Sequence, residues 1–126
     1  MLSVINKVNK KLIDNLTEFE DLNFTSVSTR TPDVFPTLSV VSLGEPTAVS
    51  DLTQTVQAAI YSTVELKAYS NKTLNEATKI LDKAGDIMME NGYLLVAGQL
   101  IISDVKPFCK VARFRRIFGE VDAKMF

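Results

Sequence analysis

The sequence predicts an α+β domain: a mostly antiparallel sheet with a long central strand and two helices packed on one face. Three observations predict it. The run Thr55–Tyr69 alternates, with Val56, Ala58, Ile60, Ser62, Val64, Leu66 and Ala68 on one side and Thr55, Gln57, Ala59, Tyr61, Thr63, Glu65, Lys67 and Tyr69 on the other. Side chains alternate faces along a strand, so the run has one apolar and one mostly polar face. A helical stripe with its own start and stop signals follows directly. Strands and helices are not in strict alternation, which argues against a parallel α/β sheet.

The first element is an amphipathic helix over about residues 2–16. Leu2, Ile5, Val8, Leu12 and Leu16 recur at helical spacing, with Lys7, Asn9, Lys10, Lys11, Asp14 and Asn15 on the other side. The stripe has no aromatic anchor, so packing on the domain's own sheet is favoured over a membrane surface. Phe24–Thr29 reads as a short strand, bounded by Pro32 and Pro36. The β-branched run Thr37–Leu43 reads as a strand ended by Gly44 and Pro46. Residues 44–54, GEPTAVSDLTQ, read as a polar loop, either an ordinary connection or an arm that orders against a neighbour.

The long strand comes next. Fifteen residues at ~3.3 Å each span nearly 50 Å, where an average strand has about five or six residues. A small domain has little room to cover such a strand, which points to bending or to burial of an overhanging end by another chain. Ser70-Asn71-Lys72 is a turn. Thr73 reads as an N-cap and Glu76 completes a capping box, opening a helix over about 74–90 with the stripe Leu74, Ala77, Ile80, Leu81, Ala84, Ile87 and Met88. Asn91-Gly92 closes it. Tyr93–Ser103 reads as a strand with a bulge or close approach at Gly98, and Phe108–Phe118 as the last strand, pairing with it as a hairpin.

Composition sets bounds. The chain has 126 residues, 46% hydrophobic and 23% charged, the balance of one globular domain over 1–126. The net charge is −1, but residues 106–126 hold Lys106, Lys110, Arg113, Arg115, Arg116 and Lys124 against Glu120 and Asp122, so +4; the rest carries −5. Such asymmetry orients a subunit against a neighbour or toward DNA, or is simply solvated. One cysteine, Cys109, allows no internal disulfide and reads as a small buried residue. No apolar run reaches membrane-spanning length, and the N-terminus MLSVINKVNKKL does not read as a secretory signal.

There are no histidines. That removes Ser-His-Asp and Cys-His catalysis and the commonest metal ligand. No phosphate-binding glycine pattern is present, and no cofactor is expected. The remaining candidates are contact residues. Tyr61, Glu65, Lys67 and Gln57 share the polar face of the long strand, as an interface patch or a solvated face. Arg113 and Arg115 lie on one face of the last strand, Arg116 on the other with Phe114 and Phe118. Three readings of these arginines stay open: subunit contact, DNA contact, or an edge strand blunted by charge. Glu45 and Asp51 are candidates in the 44–54 loop.

Three pieces stand in order along the chain: Phe35-Pro36 ahead of a β-run ending at Gly44; VELKAYSNKTLNEATKILD, residues 64–82; and VARFRRIFGEVD, residues 111–122. From Phe35 to Asp122 the chain thus resembles the tail terminator proteins (tail completion or minor capsid proteins) of long-tailed bacteriophages. The resemblance implies an α+β fold related to tail-tube subunits and a hexameric ring on the last ring of the tail tube. Such a ring stops tube polymerisation and meets the head connector or adaptor, with no catalysis. The implied partners are copies of itself, the tail tube protein and the connector. Genomic DNA would pass through without specific binding, and no membrane is involved. The implied location is the virion's tail–head junction, after synthesis in the host bacterial cytoplasm. The alternatives are a head–tail adaptor or other neck or tube component and, from another class, a small nucleic-acid-binding module.

Overall fold

The computed structural model describes residues 3–26, 32–45, 47–50 and 57–126. In chain order these form α1 (Ile5–Asn15), β1 (Asn23–Thr25), β2 (Thr37–Gly44), β3 (Thr47–Ser50), β4 (Gln57–Ser70), α2 (Leu74–Glu90), β5 (Leu94–Ser103), β6 (Phe108–Gly119) and α3 (Glu120–Met125). The strands make a single sheet of order β1-β2-β4-β6-β5, with β3 paired to β4 beside β2. β1 and β2 run parallel; the other pairs are antiparallel.

β4 is the axis of the sheet. One of its edges meets β6 from Ala59↔Gly119 to Ser70↔Phe108. Its other edge takes β2 along Thr63–Tyr69 and β3 along Gln57–Ile60. Among the described residues the strand's length is therefore laddered within the chain, and none of its described ends overhangs for a neighbour to bury. The reason is β6, which is nearly as long and runs beside it. Thr55 and Val56 lie outside the described residues.

The alternation holds. Ile60, Ser62, Val64, Leu66 and Ala68 are all buried, together with Leu38 and Val40 of β2 and Ala112, Phe114 and Phe118 of β6. This face receives Val8 and Leu12 of α1, Ala77, Ile80, Leu81, Ala84, Ile87 and Met88 of α2, and Ala123 of α3 in one core cluster. Both expected helices pack there, and α3 joins them. It follows Gly119 directly; six residues, EVDAKM, carry too little periodicity to announce a helix in the sequence. Lys7 Nζ donates to the carbonyl oxygens of Ala123 at 2.6 Å and Lys124 at 3.4 Å. A cation thus sits at the negative end of α3 and ties it to α1.

α2 begins as expected, with the Glu76 amide donating to Thr73 Oγ1 at 3.1 Å. The reciprocal half of the capping box is different. The Glu76 carboxylate accepts from Ser70 Oγ at 2.7 Å, and that hydroxyl oxygen accepts from the amides of Lys72 (3.1 Å) and Thr73 (3.3 Å). Ser70 is fully buried at the end of β4, so it reaches the orphan amide first and relays it to Glu76. Gly92, at φ +85°, ends the helix, its amide donating to the Met89 carbonyl at 3.0 Å.

The segment 44–54 is not all loop. Its residues 47–50 are β3, which pairs with β4 through shifted register. Short, polar and bulged, that strand lacks the run length that marks one in sequence. Gly98 lies where the β5–β6 register shifts between Ala97 and Leu100, so it is a bulge; a Cβ there would meet nothing within 4 Å, so it is not a close approach. No helix among the described residues is long and apolar enough to cross a membrane.

Candidate assembly interface

With α1, α2 and α3 on one side, the other face of the sheet carries no helix among the described residues. Its upper part is a row of cross-strand neighbours. Tyr61 stands opposite Ile117, Thr63 opposite Arg115, and Arg115 opposite Leu94. The Arg115 guanidinium lies 5.6 Å from the centroid of the Tyr61 ring, a diagonal cation–π contact. Tyr61, Ile117, Arg115 and Leu94 are all exposed. The structure therefore brings together two of the sequence-derived candidates, Tyr61 and Arg115, and adds two apolar neighbours.

Lower on the same face the reading changes. Glu65, placed by the sequence on an exposed polar patch, is only 6% exposed. Arg113 Nε donates to its Oε2 at 2.9 Å from the directly opposite position on β6, and Lys67 Nζ lies 3.7 Å from its Oε1. Two cations offset the desolvation of the carboxylate. Strand alternation shows which face a residue takes; it does not show what lies across the ladder.

Tyr69 and Cys109, also directly opposite each other, are buried. Burial first, and then the neighbouring Cys109, pushes the Tyr69 phenol up to about 12. Burial pushes the Cys109 thiol up as well, against the lowering effect of its hydrogen bond to Tyr69. Little thiolate forms at neutral pH, in keeping with a packed rather than a reactive cysteine.

Arg116 stands apart from the other arginines, as its parity predicts. It lies on the helix side, where its Nη1 donates to the Asn91 carbonyl at 2.6 Å. Its guanidinium is 4.2 Å from the Phe118 ring centroid and 5.4 Å from that of Phe126. It closes the C-terminal end of α2, where a cation is favoured. Glu45 is also engaged within the chain. Its carboxylate accepts from Ser3 Oγ and from the Val4 amide, each at 2.9 Å. Val4 precedes a helix without a side-chain cap of its own, so Glu45 supplies the anion from 41 residues away. Gln57 opens β4 opposite Ser50. Asp51 lies outside the described residues.

The largest feature was absent from the sequence-derived candidates. β5 is the outer strand of the sheet, bonded along one edge to β6. Leu94, Leu95, Val96, Leu100, Ile101 and Ile102 are each at least 49% exposed. The apolar residues occupy both faces of the strand, because they stand in two consecutive runs, Leu94–Val96 and Leu100–Ile102, and successive side chains alternate faces. Read as a sequence, YLLVAGQLIIS is a buried strand; only the sheet order shows that nothing in the described chain covers it. Long apolar edges are normally blunted, and an unblunted one marks an interaction site.

No family model matches the chain, and no curated protein matches it. Among solved structures it is similar to the bacteriophage SPP1 gp17 protein, at 17% identity over 90% of this chain and 91% of that one, with a TM-score of 0.38. A likeness that slight defines neither fold nor function.

Proposed function

We propose that this chain is a structural virion protein that caps a phage tail tube as a ring. The ring stops tube polymerisation and forms the interface to the head connector. The observation that carries the proposal is the bare apolar strand β5 beside the Tyr61–Arg115 row: a surface suited to burial in an assembly. The resemblance stated above supports the same reading. Its three pieces fall on the adjacent strands β2, β4 and β6 and on α2, so they form one connected part of the fold. A contact between different surfaces of successive copies closes into a ring when the rotation permits. The work of such a protein is steric. Its partners would be its own copies, the tube protein and the connector, its place the tail–head junction of the virion, and DNA would pass through without specific binding.

Two experiments test this. Electron microscopy of particles lacking the protein should show over-long tails without heads; normal tails would sink the proposal. Arg115→Glu should keep the fold and lose assembly, read by solution mass and by tail length. Normal tail termination in that variant would remove Arg115 from the interface.

A further inference from the structure

The first and last helices, α1 and α3, have no side-chain cap of their own. Glu45, just past β2, takes the place of one for α1: its carboxylate accepts from Ser3 Oγ and from the Val4 amide, each at 2.9 Å. Lys7 lies in the first turn that Glu45 secures. Its Nζ donates to the Ala123 carbonyl of α3 at 2.6 Å. One turn further along α1, Lys11 Nζ is 4.6 Å from the centroid of the Phe126 ring. That ring lies against Phe118, at 4.9 Å between centroids, and against Tyr93, at 6.5 Å. Phe118 and Tyr93 are both buried. Six residues are too few to hold a helix without such contacts, so α3 depends on the lysines that α1 presents to it.

We propose that α1 and α3 form one clasp over Phe118 and Tyr93, and that Glu45 is the catch that closes it. A first turn that loses its anion frays. Lys7 then loses the fixed position from which it reaches Ala123, and Phe126 loses its seat on the two aromatic rings. Glu45 directly follows Gly44, where the β2–β4 register shifts, at the root of the 44–54 segment. The catch therefore sits where the ladder is interrupted. α3 follows β6, on the other edge of β4. A change at the end of β2 is thus carried by α1 to the opposite edge of the central strand, as an order–disorder step in a short helix. The inference is independent of the ring reading.

Amide hydrogen exchange tests the clasp. The reporters are the Val4 amide, bonded to Glu45, and the backbone amides of α3. Glu45→Gln should speed exchange at both by about fivefold or more. Glu45→Asp, which keeps the charge on a shorter stem, replaces it if circular dichroism shows that Glu45→Gln misfolds. Coupling between two sites is reciprocal. Lys7→Met keeps the aliphatic stem and removes the ammonium. It should speed α3 and, in return, the Val4 amide, although Glu45 is untouched. In the Lys7→Met background, Glu45→Gln should add little at α3. Thr73→Ala, the loss of a cap in α2, should move neither reporter. The inference is overturned if Glu45→Gln frees Val4 but not α3, since Glu45 is then a cap alone. It is also overturned if Lys7→Met leaves Val4 unchanged, or if the two changes add in full at α3. The same holds if Thr73→Ala moves both reporters as far as Glu45→Gln does, since the effect is then one of general stability.

Discussion

Arg113 and Glu65 face each other across the central ladder, with Arg113 Nε 2.9 Å from Glu65 Oε2. The carboxylate is buried and the guanidinium is half exposed, so the two halves are not equivalent. Removing Arg113 leaves a buried charge with only Lys67 nearby. A fully buried pair broken in this way costs about 3–5 kcal/mol. Solvent beside Arg113, and the remaining lysine at 3.7 Å, reduce that. Arg113→Ala should therefore destabilise by about 1–2 kcal/mol. Urea unfolding checks it, and adding Glu65→Gln should recover part of the loss, because the buried charge is then gone.

Ser70 does more for α2 than the cap residue itself. It receives two amides and donates to Glu76, while Thr73 receives one amide. Thr73→Ala should cost on the order of 1 kcal/mol. Ser70→Ala leaves two amides and a carboxylate oxygen short of partners and should cost more, about 1–3 kcal/mol. Equal shifts in the unfolding midpoints of the two variants would refute the relay.

These two sites also show what could be read from the chain alone. Thr73, Gly92 and the alternation from Ile60 to Ala68 are local signals, set by residues within one turn or one strand, and they were legible. The burial of Glu65 depends on Arg113, 48 residues away, and Glu45 serves a helix start 41 residues away. No local pattern encodes such partners. The exposure of β5 was hidden for the opposite reason. Apolar runs ordinarily signal a core, and only the strand order reveals which run lies at the edge. β3 and α3 were too short to show a period.

Two phenols make stability fall in alkali. Burial pushes Tyr93 to about 12, against the lowering effect of its hydrogen bond to Ser62, and Tyr69 also rises to about 12. In the unfolded chain both titrate near the ordinary value of 10. The folded values lie above the unfolded ones, so the folded protein holds these protons longer. Their contribution is whole below about pH 10 and is lost as the pH rises toward about 12. Urea midpoints should drop within that window, after a smaller earlier decline that begins near pH 9, where the unfolded-state thiol of the buried Cys109 titrates first. Tyr93→Phe should flatten the drop; an unchanged slope would show that the phenol is not its source.

The turn after α2 is held by a close fit between Gly92 and Arg116. Gly92 has φ +85°, and a Cβ there would lie 3.2 Å from the Arg116 side chain. Gly92→Ala therefore carries two costs. The left-handed backbone contributes about 1–2 kcal/mol for an L-residue. The second cost is the crowding of Arg116, which is held by its bond to the Asn91 carbonyl and by the Phe118 ring. The two costs separate experimentally. In an Arg116→Ala background the crowding vanishes and the backbone strain stays, so Gly92→Ala should cost less there than in the unchanged chain. A cycle of the four proteins by urea unfolding measures the difference. Strict additivity would mean that Arg116 moves aside freely and does not clamp the end of α2.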